Sequence, residues 1–404
     1  MRIFQINGGV FGSTGAVMFG IAERAEAEGH TVVCASPITV TNRNRHPVTP
    51  YYRIGTFASR RFNVLLARIT GLEGCFARIA TVRLIREIKH FAPDVLHIHS
   101  IHNSYLNIPM LFRYIKESGI PTVWTLHDCW AFTGHCPHFD MIGCGKWLQD
   151  CGGCPLYRGY PRSLTDNARG MLRRKKRWFS DVPNLTLVTP SEWLANLVRR
   201  SFLGVYPLRV IHNGISLHVF RPTASDFRAR YGLEGKFVLL GVAFGWGEKK
   251  GLDVIIELAR RLPEDYAVIL VGGNDEIDRR LPEGVISIHR TENQAELAVI
   301  YSAADLFINP TREDNYPTVN MEAIACGTPV ITFATGGSPE ILTPETGRVV
   351  PKGDVVALMR EIEAVRRDRP FDRERVAAHG QSFDGQHRFS QNVALYREII
   401  TQKK

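Results

Sequence analysis

No apolar stretch in these 404 residues is long enough to cross a bilayer: the longest, Phe237 to Trp246, has ten residues, against about 20 for a spanning helix. The opening MRIFQINGGV reaches Asn and Gly too soon for a secretory signal. Cysteine is sparse, at eight residues, which excludes a disulfide-dense scaffold and fits a reducing compartment. No D-x-D occurs to hold a diphosphate-bound metal, and no G-x-G-x-x-G marks a dinucleotide site. The composition, 44% hydrophobic and 22% charged, excludes disordered and collagen-like chains. What remains is a globular, cytoplasmic protein of two or three domains.

Charge is unevenly shared. Residues 1–200 carry 25 Lys+Arg against 13 Asp+Glu, and residues 201–404 carry 25 against 27, so the +10 excess lies in the first half. Arg53 to Lys89 holds eight basic and two acidic residues, and Arg173 to Arg177 reads RRKKR. Such clusters attract nucleic acid, an anionic membrane or a phosphorylated substrate; a solvated helix face is the plainer reading. With no recognised binding motif and no basic strand interleaved with aromatics, nucleic acid is not expected as a partner. The stretch around Arg61, Arg68, Arg78, Arg83 and Arg86, with apolar residues between, has the make-up of a basic amphipathic helix suited to an anionic membrane surface.

Both halves alternate short apolar runs with helical patterns. Ile3–Ile6, Thr31–Ser36, Asp94–Ser100, Pro121–Asp128 and Leu185–Ser191 read as strands in the first; FVLLGVA, AVILVGG, ISIH, LFINP and PVITFAT follow in the second. Helices are expected at 16–28, 252–261, 294–303, 320–325 and 391–402. Runs that do not alternate belong to parallel sheets covered on both faces. The expected fold is α/β, with two doubly wound, Rossmann-like domains facing a cleft. Residues 1–205 form the first domain, 206–222 a linker and 223–384 the second, and a final helix within 385–404 crosses back to the first.

Chemistry is expected at the carboxyl ends of the strands. The loop NGGVFGSTGA, with Gly9, can admit a phosphate or simply make a tight turn. His97, His99, His102, His127, His135 and His138 gather near strand ends, and His127 beside Asp128 is the leading catalytic candidate. Lys249 and Lys250 precede a helix and suit a diphosphate. Asp314 and Glu322 stand eight residues apart; if Thr318 opens a helix, Asp314 stays in the loop and Glu322 lies one turn in. Cys136, Cys144, Cys151 and Cys154, spaced x7, x6 and x2, make a structural zinc site one reading and buried reduced thiols another.

Together DVLHIHS, WTLHD, the IHNGI…FRP segment, EKKG, the Asp314-x7-Glu322 pair, ACGTPV and GGSPEI resemble family-4 retaining glycosyltransferases of the GT-B fold, over nearly the whole chain. WTLHDCWAFTGHC…CGGCP and REDNYP are similar to colanic acid and other surface-polysaccharide transferases. The resemblance implies that a hexose moves from a UDP- or GDP-sugar to a saccharide or polyprenyl-diphosphate-linked acceptor, with retention and without a catalytic cofactor; the protein is expected in the cytoplasm, and the basic stretch makes the inner face of the cytoplasmic membrane a candidate docking surface. It implies that Glu322 holds the donor's ribose hydroxyls, Asp314 the transferred sugar, and Lys250 the diphosphate with Gly9. His127 would touch the sugar, the loop with Gly336 and Gly337 would add backbone donors, and Asp128 and His99 would lie on the acceptor side. Where the family carries Arg five residues before the Lys, this chain has Gly245, so Lys249 is expected to supply the charge. A nucleotide-sugar epimerase of the same architecture is the rival reading.

Overall fold

The computed structural model describes residues 1–43 and 50–401. Residues 44–49 lie outside it, as do 402–404, the end of the expected closing helix. The chain divides into two compact units, Met1–His212 with Gln386–Lys404, and Asn213–Gly385. The segment 206–222 is therefore shared between the units: Leu208–Val210 is a strand of the first, and residues from Asn213 onward belong to the second.

The first unit holds seven parallel strands: β1 (Arg2–Ile6), β2 (Thr31–Pro37), β3 (Tyr52–Ile54), β4 (Val95–Ile98), β5 (Thr122–Thr125), β6 (Leu185–Thr189) and β7 (Leu208–Val210), in the order β3-β2-β1-β4-β5-β6-β7. Every residue of β4, β5 and β6 is buried, which accounts for their lack of alternation. Strand order reverses between β1 and β4, which pair directly through Ile3↔Val95 to Ile6↔Ile98. The loops after these two strands therefore diverge and leave a crevice. The closing helix, Gly385–Thr401, packs Val393 and Tyr396 with Ile3, Ile21, Val95 and Val123 on one side of this sheet.

The second unit repeats the plan with β8 (Phe237–Val242), β9 (Tyr266–Val271), β10 (Ile286–Ile288), β11 (Leu306–Asn309), β12 (Val330–Phe333) and β13 (Gly347–Val350), in the order β10-β9-β8-β11-β12-β13. All its pairings are parallel, and its reversal falls between β8 and β11. Helix Leu252–Arg261 buries Leu252, Val254, Ile255 and Leu258 against β8, β9 and β11. Helix Thr318–Ala325 follows β11, with six of its eight residues buried.

Candidate functional site

In the first unit the loops after β1, β4 and β5 bring together a histidine chain. Gln5 Nε2 donates to Met18 O at 3.0 Å, which turns Gln5 Oε1 toward His99. His99 Nε2 lies 3.1 Å from that oxygen, and His99 Nδ1 lies 3.1 Å from His127 Nε2. A carbonyl oxygen only accepts, so His99 carries its proton on Nε2, and its bare Nδ1 accepts from His127 Nε2–H. His127 is thereby held as the tautomer whose Nδ1 has the lone pair. Burial keeps both rings neutral: it pushes His127 down to about 4, with Asp128 pulling the other way, and holds His99 well below the usual range. His97 is a buttress, bonded to Thr125 Oγ1 at 2.8 Å and to Tyr396 of the closing helix at 2.5 Å.

A charged pair adjoins this neutral one. His102 Nε2 lies 2.9 Å from Asp128 Oδ2, and Trp130 N donates to Asp128 Oδ1 at 2.8 Å. Burial opposes charge on both groups, but their attraction outweighs it: His102 is raised, and Asp128 falls to about 2. Tyr160, which donates to Asn103 Oδ1 at 2.5 Å, has its oxygen 3.2 Å from His102 Nδ1. Lys175, fully buried, anchors the loop after β5: its ammonium donates to Trp130 O at 2.6 Å and Thr133 O at 3.0 Å and sits 3.4 Å from the centre of the Trp130 ring. Gly9 stands at the edge of the β1 loop, where Asn7 Nδ2 donates to its carbonyl at 2.8 Å; a Cβ there would meet nothing nearer than Phe11 O at 3.7 Å.

In the second unit the lysines after β8 meet the acids after β11. Lys250 Nζ lies 2.6 Å from Asp314 Oδ2, and Lys249 pairs with Glu313, whose side chain is 3% exposed. Arg312 fastens the two loops, gripping both oxygens of Asp253 at 2.7 Å and donating to Glu248 O at 2.7 Å. Gly251, at φ +75°, passes so close to Pro310 that a Cβ would lie 2.3 Å from its carbonyl oxygen. Thr318 does open the helix, which puts Asp314 in the loop and Glu322 one turn in. Glu322 accepts from Tyr301 OH at 3.0 Å. Burial raises its carboxyl to about 7, against the opposing hydrogen bonds of Tyr301 and Thr318.

Gly336 and Gly337 lock the loop after β12 onto the acidic loop. Gly336, at φ +55°, approaches Asp314 so closely that a Cβ would fall 1.8 Å from Asp314 O. Gly337 N donates to Asn315 O at 2.8 Å. The N–H expected to serve a ligand is thus engaged in joining two loops, and Gly337 acts as a fastener in this conformation.

The four cysteines line one cavity with His135, Phe139, Lys146 and Trp147. Cys151 Sγ accepts from Gly134 N at 3.2 Å, and burial pushes the Cys136 and Cys151 thiols up to about 12 and about 11. A tetrahedral zinc site needs sulfurs about 4 Å apart. Among the described residues the one trio of ligand atoms within 4.8 Å of one another is Asp275, Asp278 and His289. Among the described residues no three of these sulfurs lie within 4.8 Å of one another; Cys136 and Cys151 are buried, and Cys144 and Cys154 pack half-buried against the same aromatic core. In this conformation the four are free thiols lining a shared cavity.

Sequence reasoning singled out His99, His127, Asp128, Lys249, Lys250, Asp314 and Glu322; it missed Gln5, Tyr160, Lys175, Tyr301 and Glu313, whose roles arise from contacts between distant segments. The REDNYP stretch was the one signal that could have exposed Glu313.

Comparison with known proteins follows the two halves. The profile described as Glycosyltransferase Family 4 matches residues 14–219, and that described as Glycosyl transferases group 1 matches residues 236–368. WcaC of Escherichia coli (strain K12), named as a colanic acid biosynthesis glycosyl transferase, is 26% identical over 277 residues, 66% of each chain. A D-inositol 3-phosphate glycosyltransferase of Mycobacterium tuberculosis (strain F11) is 28% identical over 221 residues, 50% of this chain and 46% of that one. The chain thus spans 66% of the first relative's length and under half of the second's. Among solved structures, sucrose-phosphate synthase from Thermosynechococcus elongatus superposes with a TM-score of 0.72 at 19% identity over 99% of both chains. Anabaena Alr3699/HepE in complex with UDP and glucose gives 0.69 at 16%, over 98% of this chain and 100% of that one.

Proposed function

Because the chain belongs to Glycosyltransferase Family 4, we propose that it transfers a hexose from a nucleotide-diphosphate sugar to a saccharide or polyprenyl-diphosphate-linked acceptor during surface-polysaccharide assembly. One observation carries the reading: Lys250 and Asp314, an ion pair at 2.6 Å, sit at the reversal of strand order in the second unit, with the buried Glu322 on the adjoining helix. The named function of WcaC supports the polysaccharide setting, and HepE with UDP and glucose supports a uridine donor.

The chemistry follows from charge. Breaking the bond from the anomeric carbon to the diphosphate places negative charge on the leaving oxygens. Lys250, with Lys249 beside it, meets that charge in a fixed position, so little reorganisation is needed as the bond breaks. A diphosphate drawing Lys250 toward itself releases Asp314, whose carboxylate then accepts hydroxyls of the sugar. Glu322, once ionised, accepts the two ribose hydroxyls. His127, neutral and oriented through His99 and Gln5, is the imidazole of the first unit that meets a sugar hydroxyl. The His102–Asp128 pair lies on the acceptor side. Retention is what the family resemblance implies, and the enzyme works from the inner face of the cytoplasmic membrane as a peripheral protein.

Screening UDP- and GDP-sugars by thermal shift identifies the donor, because a ligand that binds only the native state raises its melting point. Lys250→Ala, folded and melting as the parent does, is expected to lose at least about a hundredfold in turnover. Near-parental turnover in that variant refutes the assignment. Conversion of free nucleotide sugar to its epimer without acceptor would establish the rival reaction instead.

A further inference from the structure

The first unit carries an apolar strip that its own packing leaves uncovered. Phe62, Leu65 and Ile69 recur at three- and four-residue spacing on helix Phe57–Thr70, and each is half or more exposed. Leu164, 74% exposed, extends the strip, because its N–H donates to Arg68 O at 2.7 Å beside the last helical turn. Thr165 Oγ1 donates to Ile69 O at 2.7 Å, so the two segments are tied together at the helix's unsatisfied carbonyls. Arg61, Arg68 and Arg162 are exposed around the strip, and Asp166 is the acid at its edge.

The same helix reaches the acceptor side of the unit. Arg60 turns inward to the neighbourhood of Tyr160, Glu73 and Tyr105. Glu73 accepts from Ser104 Oγ at 2.7 Å, and Tyr160 bonds His102, the partner of Asp128. The uncovered strip and the His102–Asp128 pair are thus joined through a few packed side chains.

We propose that this strip rests on an anionic lipid bilayer, the arginines meeting headgroups and the four apolar side chains entering the acyl boundary, so that a lipid-linked acceptor reaches the His102–Asp128 side from the membrane. Delivery of a lipid-linked acceptor rests on the proposed transfer reaction; docking of the strip on the bilayer does not. A second copy of the chain fits the strip less well: four side chains fall short of the roughly 800 Å² per partner that a stable dimer buries, and two arginine-rimmed faces repel. An anionic bilayer satisfies both the apolar strip and its rim, each arginine near the surface contributing about fivefold in affinity.

The test is co-sedimentation of the full chain, without nucleotide sugar, with vesicles of phosphatidylglycerol and phosphatidylcholine or of phosphatidylcholine alone. Binding is expected only to the anionic vesicles and weakens with salt. Phe62→Gln/Leu65→Gln/Ile69→Gln, which keeps good helix formers, is expected to weaken it at least about tenfold. Arg61→Gln/Arg68→Gln is expected to do the same, whereas Val356→Gln, at an exposed apolar position of the second unit, leaves it unchanged. No binding by the parent, equal binding to both vesicle types, or undiminished binding by the folded triple variant overturns the proposal. So does a parent dimer that becomes a monomer in the triple variant. Donor binding is read separately by thermal shift in the absence of vesicles, so failure of one reading leaves the other standing.

Discussion

Replacing Glu322 by Gln separates what this carboxylate does for a ligand from what it does to the fold. Its side chain is buried on helix Thr318–Ala325, and burial lifts its carboxyl from an ordinary 4.5 to about 7. A raised acid is a native state that holds its proton more tightly than the unfolded chain does. The stability it contributes is therefore full below about 4.5 and is lost progressively as pH rises through about 7. The difference amounts to about 3 kcal/mol at pH 8. Gln has nearly the same shape and does not titrate; its oxygen can accept from Tyr301, and the Thr318 hydroxyl can turn to accept from its amide. The Glu322→Gln protein should therefore match the parent near pH 4.5 and outlast it at pH 8. At about 2–4 °C per kcal/mol, the second unit's transition should differ by roughly 10 °C. Donor binding should move oppositely: a ribose diol favours the ionised carboxylate, so parental affinity rises with pH through about 7, and the variant shows neither the rise nor comparable affinity. The assay is differential scanning calorimetry of both proteins from pH 4.5 to 8, with and without donor. A melting-point gap that stays constant across that range would refute the burial argument.

Three further perturbations test other parts of the site. Gly336→Ala places a Cβ where Asp314 O already stands, 1.8 Å away, at φ +55°; we expect a stability loss above about 2 kcal/mol and a rise in donor KM, read by melting and initial rates. Gln5→Leu removes the acceptor that fixes the His99 proton, so the His127 tautomer is no longer held; turnover should fall about tenfold or more with donor affinity unchanged, and an unaltered rate would dismiss the relay. The cysteine loop should hold no stoichiometric zinc in elemental analysis of purified protein, and chelators should not shift its melting point; one zinc per chain would show that the sulfurs can draw together.

The interior strands were legible because burial on both faces writes itself as uninterrupted apolar runs: β4, β5, β11 and β12 are buried at every position. Helices Leu252–Arg261 and Gln294–Ala303 end where their apolar spacing ends. Two of the short edge strands were harder. β3 and β13 have three and four residues with mixed exposure, so neither pattern nor run announces them. Helix phase was enough to place Asp314 in the loop and Glu322 one turn into the helix. The proton order along Gln5, His99 and His127 was not legible, because Gln5 and His99 are 94 positions apart and meet only through the β1–β4 register. The cysteine spacing left zinc and buried thiols as alternatives for a related reason: intervals along a chain say nothing of which thiols an aromatic core buries.

The pairing of Lys249 with Glu313 and Lys250 with Asp314 has a consequence for selectivity. Each ammonium is already matched by a carboxylate, so inorganic phosphate or a stray carboxylate gains one contact only by stripping another. A molecule bearing both a diphosphate and a polyhydroxylated ring compensates each partner it separates. If the proposed donor binds at these four side chains, they discriminate by demanding two chemistries at once, and simple anions compete poorly for them.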